Sequence, residues 1–246
     1  METKEKKTLE FETELLEVIE RAPDVKSFRF TRPEEADFTA GQYFMLYIDV
    51  NGEEKCKPFS FSSSPTERAH IEFTKRLTGS DFSEALNKLE KGDKVRIKMP
   101  FGSFTLKAAK TGKIAFLCGG IGITPVRSMA KYAADISVPA DMVLLYGNAA
   151  EEEIIFREDL DGMEKANPYF KVIYTLTCSD VPKEWKGCCG FINKAMIERE
   201  MPDFEERTFY ACGSPYMVKC MVDELKGELK IPDEKIVTEH FLGYEK

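Results

Sequence analysis

The sequence of 246 residues has few of the residues that build metal sites and catalytic triads. It holds two histidines, His70 and His240, and no C-x-x-C pair occurs among its seven cysteines. Zinc and iron–sulfur sites need cysteine and histidine at characteristic spacings, so we expect no metal site. An odd number of cysteines in a chain of this length indicates reduced thiols, which predicts a cytoplasmic protein.

Long apolar runs and an excess of positive charge are also absent. The longest stretch without charge, Ile114–Val126, is too short to span a bilayer and contains several glycines. The amino terminus leads into charged residues without an apolar segment, which argues against a signal peptide. The 35 Lys and Arg against 43 Asp and Glu leave a net charge of −8, which disfavours nucleic-acid binding. We therefore predict neither membrane insertion nor nucleic-acid binding.

The amino-terminal part of the chain alternates apolar and polar side chains with a period of two. Turn signals such as Asn51-Gly52 and Gly92-Asp93 separate the alternating segments. Several short strands at this spacing, with one helix at about Asp81–Leu89, predict an antiparallel β-barrel or sandwich. The predicted strands are Leu9–Leu15, Phe44–Val50, Phe59–Phe61, Ile71–Phe73 and Val95–Met99.

The remainder of the chain alternates strands with amphipathic helices. This pattern predicts an α/β doubly wound parallel sheet, and hence a second domain. We place the boundary near Lys107–Thr111, which gives domains 1–108 and 109–246. The predicted strands are Lys113–Leu117, Met142–Tyr146, Tyr169–Thr175, Thr208–Ala211 and Ile236–Thr238, and the helices lie near Val126–Ala133, Glu151–Met163, Asn193–Arg199 and Val218–Leu225.

Two loops at predicted carboxyl ends of the parallel strands carry unusual residues. Cys118–Pro125 is rich in glycine, and Cys212–Pro215 ends, like the first loop, in a hydroxyl residue followed by proline. We expect Thr124 and Ser214 to be helix N-caps, so that both helix N-termini face a pyrophosphate. The glycine loop does not complete G-x-G-x-x-G, and a tight turn without a ligand is the alternative.

A second group of polar and aromatic residues lies in the first half. The segment Lys57-Pro58-Phe59-Ser60 puts a cation, an aromatic ring and a hydroxyl in one strand, and Ser80–Ser83 opens the lone helix. The amides of that helix suit a phosphate. The alternatives are a core position for Phe59 and a solvated edge charge for Lys57.

Seven short motifs occur in one order, and with them the chain resembles the ferredoxin–NADP reductase-like superfamily of flavoenzymes over essentially its whole length. They are F-x-x-G-Q-[YF] at Phe38–Tyr43, R-x-[YF]-S at Lys57–Ser60, the phosphate helix at Ser80–Ser83, P-x-G at Pro100–Gly102, G-G-x-G-x-T-P at Gly119–Pro125, W-x-G-x-x-G-x-[IV] at Trp185–Ile192 and C-G-x-P at Cys212–Pro215.

The resemblance implies a β-barrel that holds FAD, followed by a nucleotide-binding domain, and hydride transfer between the two cofactors. Phe59 is then expected to stack on the flavin, Ser60 to bond near flavin N5, and Cys212 to lie beside the nicotinamide. Lys57 replaces the family's usual arginine and loses its bidentate fork, so FMN stays open as an alternative to FAD. The implied cofactor-binding residues are Lys57, Pro58, Phe59, Ser60, Phe73, Thr74, Ser80, Asp81, Phe82, Ser83, Gly119, Gly120, Gly122, Thr124, Pro125, Cys212, Gly213, Ser214 and Tyr244, and the implied catalytic residues are Ser60, Cys212 and Phe241.

The charge after the second parallel strand indicates whether the chain prefers NADH or NADPH. NADP-selective relatives often have a basic residue after the second parallel strand, where this chain reads Ala149-Ala150-Glu151-Glu152-Glu153. Three carboxylates repel a 2′-phosphate, so we expect NADH, with NADPH as the alternative. The aromatic residues of the tail, Phe241 first and Tyr244 second, are candidates to cover the flavin face.

The resulting prediction is an NAD(P)H-dependent reductase containing FAD. No plant-type C-x4-C-x2-C spacing is present, so we expect electrons to pass to a separate acceptor, a ferredoxin-like protein or a small molecule. Lys107, Lys110 and Lys113 are candidates for a basic docking patch. Two alternatives stay open: a reductase subunit of a multicomponent oxygenase, and a non-catalytic flavin-binding module. The sequence leaves the oligomeric state open.

Overall fold

The structure, a computed structural model, describes residues 8–106, 112–178 and 181–241, and these fall into two units that share one helix. Of the described residues, the first unit holds those up to Leu106 together with Thr124–Tyr132, and the second holds the others. The expected boundary at Lys107–Thr111 lies outside the described residues. The division into 1–108 and 109–246 therefore stays a prediction.

Six antiparallel strands form the sheet of the first unit, in the order β4-β3-β6-β1-β2-β5. Alternating side chains along these strands supply an apolar core, as the period of two predicted. The elements are β1 Leu9–Ala22, β2 Val25–Thr31, β3 Tyr43–Val50, β4 Glu53–Ser60, β5 His70–Arg76, helix α1 Asp81–Asn87 and β6 Lys94–Phe101.

Strand β2 is absent from the sequence-based prediction. Its buried residues include Ser27 beside Phe28, so apolar and polar positions do not alternate cleanly along the strand. The Ser27 hydroxyl is bonded to Thr74 Oγ1 at 2.6 Å, which satisfies a polar group inside the unit. Only the tertiary partner explains why a polar residue occupies this buried position.

Gly41 is the glycine in the first unit with the least room. Its φ is +93°, and a Cβ there would lie 2.1 Å from the Phe104 carbonyl oxygen. Gly52 has a similar φ of +83° with no atom within 4 Å of its Cβ position. A comparison of substitutions at the two glycines therefore separates the cost of a positive φ from the cost of steric overlap.

We expect Gly41→Ala to lower the free energy of unfolding by about 3 kcal/mol or more, because strain and overlap add. Gly52→Ala should lose only the strain, about 1–2 kcal/mol. Urea unfolding of both variants measures the difference. Equal losses would show that the approach of Phe104 does not constrain Gly41.

The second unit contains a six-stranded parallel sheet in the order β10-β9-β8-β7-β11-β12, as the strand–helix alternation predicted. The chain reverses its direction of strand addition between β7 and β11, and ligands bind at such a switch point. The elements are β7 Lys113–Gly119, α2 Ile123–Asp135, β8 Asp141–Asn148, α3 Arg157–Ala166, β9 Phe170–Leu176, β10 Cys188–Cys189, α4 Lys194–Glu200, β11 Thr208–Gly213, α5 Pro215–Asp223 and β12 Ile236–His240.

The helix predicted from Glu151 to Met163 is wrong in its first half. The chain forms a short 3-10 turn at Glu151–Glu153 and reaches a left-handed conformation at Phe156, with φ +60°, before α3 begins. Ile154, Ile155 and Phe156 are all buried. Three consecutive residues on one helix turn cannot share one buried face, so their burial favours an irregular backbone.

Candidate functional site

Three hydroxyl side chains meet where α1 begins in the first unit. Ser80 is the N-cap and accepts a hydrogen bond from the Ser83 amide. Thr78 Oγ1 lies 3.1 Å from both the Ser80 and Ser83 hydroxyls. We call Thr78, Ser80 and Ser83 the hydroxyl cluster; Thr78 was missed by sequence reasoning. Asp81 is exposed beside the cluster, whereas Phe82 is buried.

The end of strand β4 presents the predicted flavin segment. Lys57 and Pro58 are exposed, whereas Phe59 and Ser60 are half-buried. The Phe59 ring packs on Phe73 at a centroid distance of 4.3 Å. The Ser60 hydroxyl has no hydrogen-bond partner among the described residues and is available to a ligand.

Lys57 lies near a second lysine that sequence reasoning missed. Burial, and then the charge of Lys57, lower the pKa of Lys75. The Lys75 ammonium also donates to the Arg76 carbonyl at 3.0 Å, and a bound anion would relieve the remaining repulsion between the two lysines. A phosphate-bearing ligand suits this pair.

Phe73 and Thr74 were predicted to contact the cofactor, but their side chains pack and bond inside the first unit. Phe73 is fully buried and stacks on Phe28 at 5.1 Å. Thr74 Oγ1 bonds to the hydroxyls of Ser27 and Ser62 at 2.6 and 3.0 Å. Only their backbone is left to contact a cofactor.

The glycine turn of the second unit packs directly against the loop after β11. Gly120–Gly122 forms a 3-10 turn that continues into α2. A Cβ at Gly122 would lie 2.5 Å from the Cys212 carbonyl oxygen and 2.8 Å from the Gly213 Cα. The two loops predicted to hold a pyrophosphate therefore approach each other through their backbones at the switch point.

The prediction of the two N-caps is right for one loop and wrong for the other. Ser214 caps α5 through the Met217 amide, with Pro215 in the first turn. Thr124 lies inside α2 and is followed there by Pro125, because the 3-10 turn starts the helical backbone earlier, after Gly119. Thr124 is buried and is not a cap.

Cys212 is fully buried near the carboxyl end of β11. It pairs in register with Cys118 on β7 and with Glu239 on β12. Burial raises the pKa of the Cys212 thiol well above its usual range and also raises the pKa of Glu239. Glu239 was missed by sequence reasoning, because only the register of β12 with β11 brings it beside Cys212.

The residue after β12 joins the same loop. The Phe241 amide donates to the Gly213 carbonyl at 2.9 Å, which fixes the start of the tail. Gly213 itself has φ +158° and accepts this contact close to Cys212. The second predicted tail residue, Tyr244, lies outside the described residues, as do Lys107 and Lys110.

A buried amide lies beside the glycine turn. The Tyr146 hydroxyl donates to the Gly120 carbonyl at 3.0 Å and lies next to the Asn148 side chain. Asn148 is 4% exposed, and neither its nitrogen nor its oxygen is hydrogen-bonded to the described residues. Buried polar atoms are normally satisfied, so this end of β8 has the character of a polar ligand site.

Two exposed aromatic residues follow strands at the carboxyl edge of the parallel sheet. Phe191 comes after β10 and is 75% exposed, and Tyr216 comes after β11 and is 79% exposed. Sequence reasoning placed Phe191 in a motif without giving it a role. Ligands of parallel sheets bind at this edge, and exposed rings there suit the stacking of a planar aromatic group.

Arg157, the first basic residue after the acidic segment Glu151–Glu153, is bound by other side chains of the protein. Arg157 forms an ion pair with Glu151. Its guanidinium also lies 5.5 Å from the ring centroids of Tyr174 and Trp185. Arg157 is therefore held by the protein itself.

No helix in ranges 8–106, 112–178 and 181–241 combines the length and the apolarity that a bilayer crossing requires. Within the same ranges, no three histidine, cysteine or acidic side chains are arranged to hold a metal ion.

Two family models match this chain, one in each half. An oxidoreductase FAD-binding domain model matches residues 12–106, and an oxidoreductase NAD-binding domain model matches residues 116–223. The first match includes the segment Lys57–Ser60, and the second includes the glycine turn Gly120–Gly122.

Named relatives match most of this chain. The glycine betaine monooxygenase reductase subunit of Pseudomonas aeruginosa is 32% identical over 207 residues, which cover 82% of this chain and 57% of that protein. NADH-cytochrome b5 reductase 1 of Dictyostelium discoideum is 32% identical over 211 residues, with 82% and 72% covered. The fold matches that of an Amycolatopsis cytochrome P450 reductase with a TM-score of 0.83 at 23% identity, covering 95% of this chain and 70% of that one. The chain thus spans little more than half the length of the Pseudomonas relative.

Proposed function

The chain belongs to the ferredoxin–NADP reductase-like family of FAD- and NAD-binding oxidoreductases, and from this premise we propose that it oxidises NADH and passes the electrons through FAD to a separate acceptor. The close packing of Gly122 on Cys212 and Gly213 supports the proposal, because two backbone loops that meet at the switch point would suit a nucleotide. When bound, the flavin accepts a hydride and releases electrons singly or in pairs.

The residues of the first unit fit FAD. Lys57 and Lys75 offer two cations for a phosphate, and their mutual repulsion is relieved when an anion binds. The hydroxyl cluster and the first amides of α1 add hydrogen-bond donors. The half-buried ring of Phe59 offers a stacking surface, and Ser60 offers a hydroxyl with no described protein partner.

The residues of the second unit fit NADH. The glycine turn and Ser214 would hold the pyrophosphate, with the Asn148 amide supplying a buried donor and acceptor. Phe191 or Tyr216 would stack on the adenine. Cys212 and Glu239 would flank the nicotinamide, and burial raises the pKa of both groups. Hydride transfer needs placement rather than a strong acid or base, so neither group has to ionise.

We expect the enzyme to prefer NADH to NADPH. The first turn after β8 holds Glu151, Glu152 and Glu153, and Arg157 is engaged by Glu151 and two aromatic rings. A 2′-phosphate would meet negative charge there without a free guanidinium. Steady-state kcat/KM should be at least about 10-fold higher with NADH, the factor that 1.4 kcal/mol of repulsion gives. Equal or higher efficiency with NADPH would contradict this preference.

The acceptor is proposed to be a separate redox protein or a small molecule. The relatives include a monooxygenase reductase subunit and a cytochrome b5 reductase, so a protein acceptor has precedent in the family. Turnover of NADH with ferricyanide tests the reductase itself. Turnover that appears only with a co-purifying protein would favour an oxygenase subunit, and bound flavin that NADH never reduces would favour a non-catalytic module.

A reducing compartment suits a chain with seven cysteines, and we propose the cytoplasm as its location. Fractionation of cells that produce the protein tests this location, and recovery in the periplasmic fraction would contradict it.

A further inference from the structure

The segment after strand β4 is held both by strand β5 and by side chains, and the amides of Ser62 and Ser63 donate to the Glu72 carbonyl of β5 at 2.8 and 3.3 Å. Ser62, Ser63 and Ser64 are fully buried, although serine is usually exposed. Phe61 separates them from Phe59 and Ser60, the residues proposed to face the flavin, which pair with Phe44 and Tyr43 of β3. Strand β3 therefore fixes Phe59 and Ser60 on one side, and this segment fixes the chain that follows them.

Two residues of α2 bind the carbonyl groups of this segment. Arg127 donates from Nη1 to the Ser62 carbonyl at 2.9 Å, and Ser128 Oγ donates to the Ser63 carbonyl at 2.6 Å. Both side chains are buried, and all of these residues belong to the first unit.

The same guanidinium also holds the far end of the segment. Arg127 Nη1 lies 2.6 Å from Glu67 Oε2, and that carboxylate oxygen accepts the Ser64 amide at 2.6 Å. Burial alone would raise the pKa of Glu67, but the hydrogen bond and charge of Arg127 outweigh it and hold the pKa low. Glu67 is therefore a carboxylate that bridges the segment to Arg127.

Contacts on the other side of the segment come from the sheet. The Ser62 hydroxyl donates to Glu72 Oε1 at 2.8 Å, and Glu72 is fully buried between Arg21 and Arg29. Arg32 donates to the Pro65 carbonyl at 2.9 Å. The segment is thus fixed from the sheet and from α2 independently.

The ion pair of Arg127 with Glu67 is largely buried, and the cost of desolvating both charges offsets much of their attraction, so its presence is weak evidence of a stabilising role. Arginine presents its donors in a rigid planar fork, so Arg127 can serve the Ser62 carbonyl and the Glu67 carboxylate together. Lysine keeps the charge but not the fork. The helix that carries Arg127 and Ser128 begins immediately after the glycine turn.

We propose that Arg127 and Ser128 are positioning residues that hold Ser62 and Ser63, and through them orient Ser60 and Phe59 toward the flavin. This inference rests on the proposed function, because it assigns these residues to the flavin half-site. A solely structural role would change stability and leave the rate of flavin reduction unaltered.

The test compares Arg127→Lys and Ser128→Ala with the wild type, all loaded with FAD. The control is Arg68→Lys, since Arg68 forms an exposed ion pair with Asp37. We measure thermal midpoint, FAD content, visible circular dichroism of the bound flavin, and the anaerobic rate of absorbance loss at saturating NADH.

We expect Arg127→Lys to retain FAD, to change the flavin dichroism, and to slow reduction roughly 10- to 100-fold, as small misplacements of reacting groups do. Wild-type rates and spectra in Arg127→Lys would overturn the proposal. If Arg127→Lys fails to fold or to bind FAD, Ser128→Ala decides: slower reduction supports positioning, and an unchanged rate overturns it. A wild-type protein that NADH cannot reduce would instead refute the proposed function.

Discussion

Replacing Gly122 with alanine should reduce the rate of flavin reduction by NADH at least about 100-fold, while the protein keeps its FAD. The added Cβ would lie 2.5 Å from the Cys212 carbonyl oxygen and 2.8 Å from the Gly213 Cα. Both contacts are with backbone atoms, so the two loops that would hold the nucleotide must move apart. Lys57, Phe59, Ser60 and Ser80 lie in the other unit, so we expect FAD to remain bound. An unchanged visible circular dichroism of the flavin would show that α2, which follows the turn, has kept its place.

Stopped-flow measurement of flavin absorbance under anaerobic conditions tests this expectation over a range of NADH concentrations. Gly162→Ala is the matched control, because a Cβ at Gly162 meets nothing within 4 Å and the residue lies inside α3. That change should stabilise the helix by about 1 kcal/mol and leave the rate unchanged. Normal reduction in Gly122→Ala would show that the glycine turn is not the nucleotide site.

Replacing Ser60 with alanine should slow flavin reduction by about 100-fold with little effect on NADH affinity. A preorganised donor aimed at the reacting atoms typically contributes 10²–10³ in rate, roughly 3–4 kcal/mol. The Ser60 hydroxyl is the available one, since Ser62 is bonded to Glu72 and Thr74. Ser60 is half-buried and bonds to no described side chain.

Ser60→Thr is the conservative control for this position. Threonine keeps the hydroxyl and suits a strand, so it should recover most of the rate. The rate of flavin reduction at saturating NADH and the dissociation constant for NADH are both measured. A rate in Ser60→Ala equal to that of the wild type would remove Ser60 from the catalytic residues.

The two sheets could be predicted from the sequence, because each follows from the period of its apolar residues. Strand β7 before the glycine turn, and the Ser214 cap with its following proline, could also be predicted, because each depends only on residues adjacent in sequence. The helix start at Thr124 was predicted wrongly, since the 3-10 turn before it depends on the close approach of Gly122 to Cys212. Local pattern does not encode that contact.

The missed site residues share one physical reason. Glu239 gains its place from register with Cys212, Lys75 from its closeness to Lys57, and Arg127 from carbonyl groups distant in sequence. Each is meaningful only through a tertiary partner. Phe73 and Thr74 show the converse, because they were predicted to bind the cofactor and their side chains serve the interior.

The central claim is that this chain accepts hydride from NADH at a bound flavin, and an anaerobic titration tests it most directly. One equivalent of NADH per FAD should abolish the absorbance of the oxidised flavin, and NADPH should do so far more slowly. A protein that binds FAD and is reduced by dithionite, but stays oxidised with excess NADH, would contradict the account.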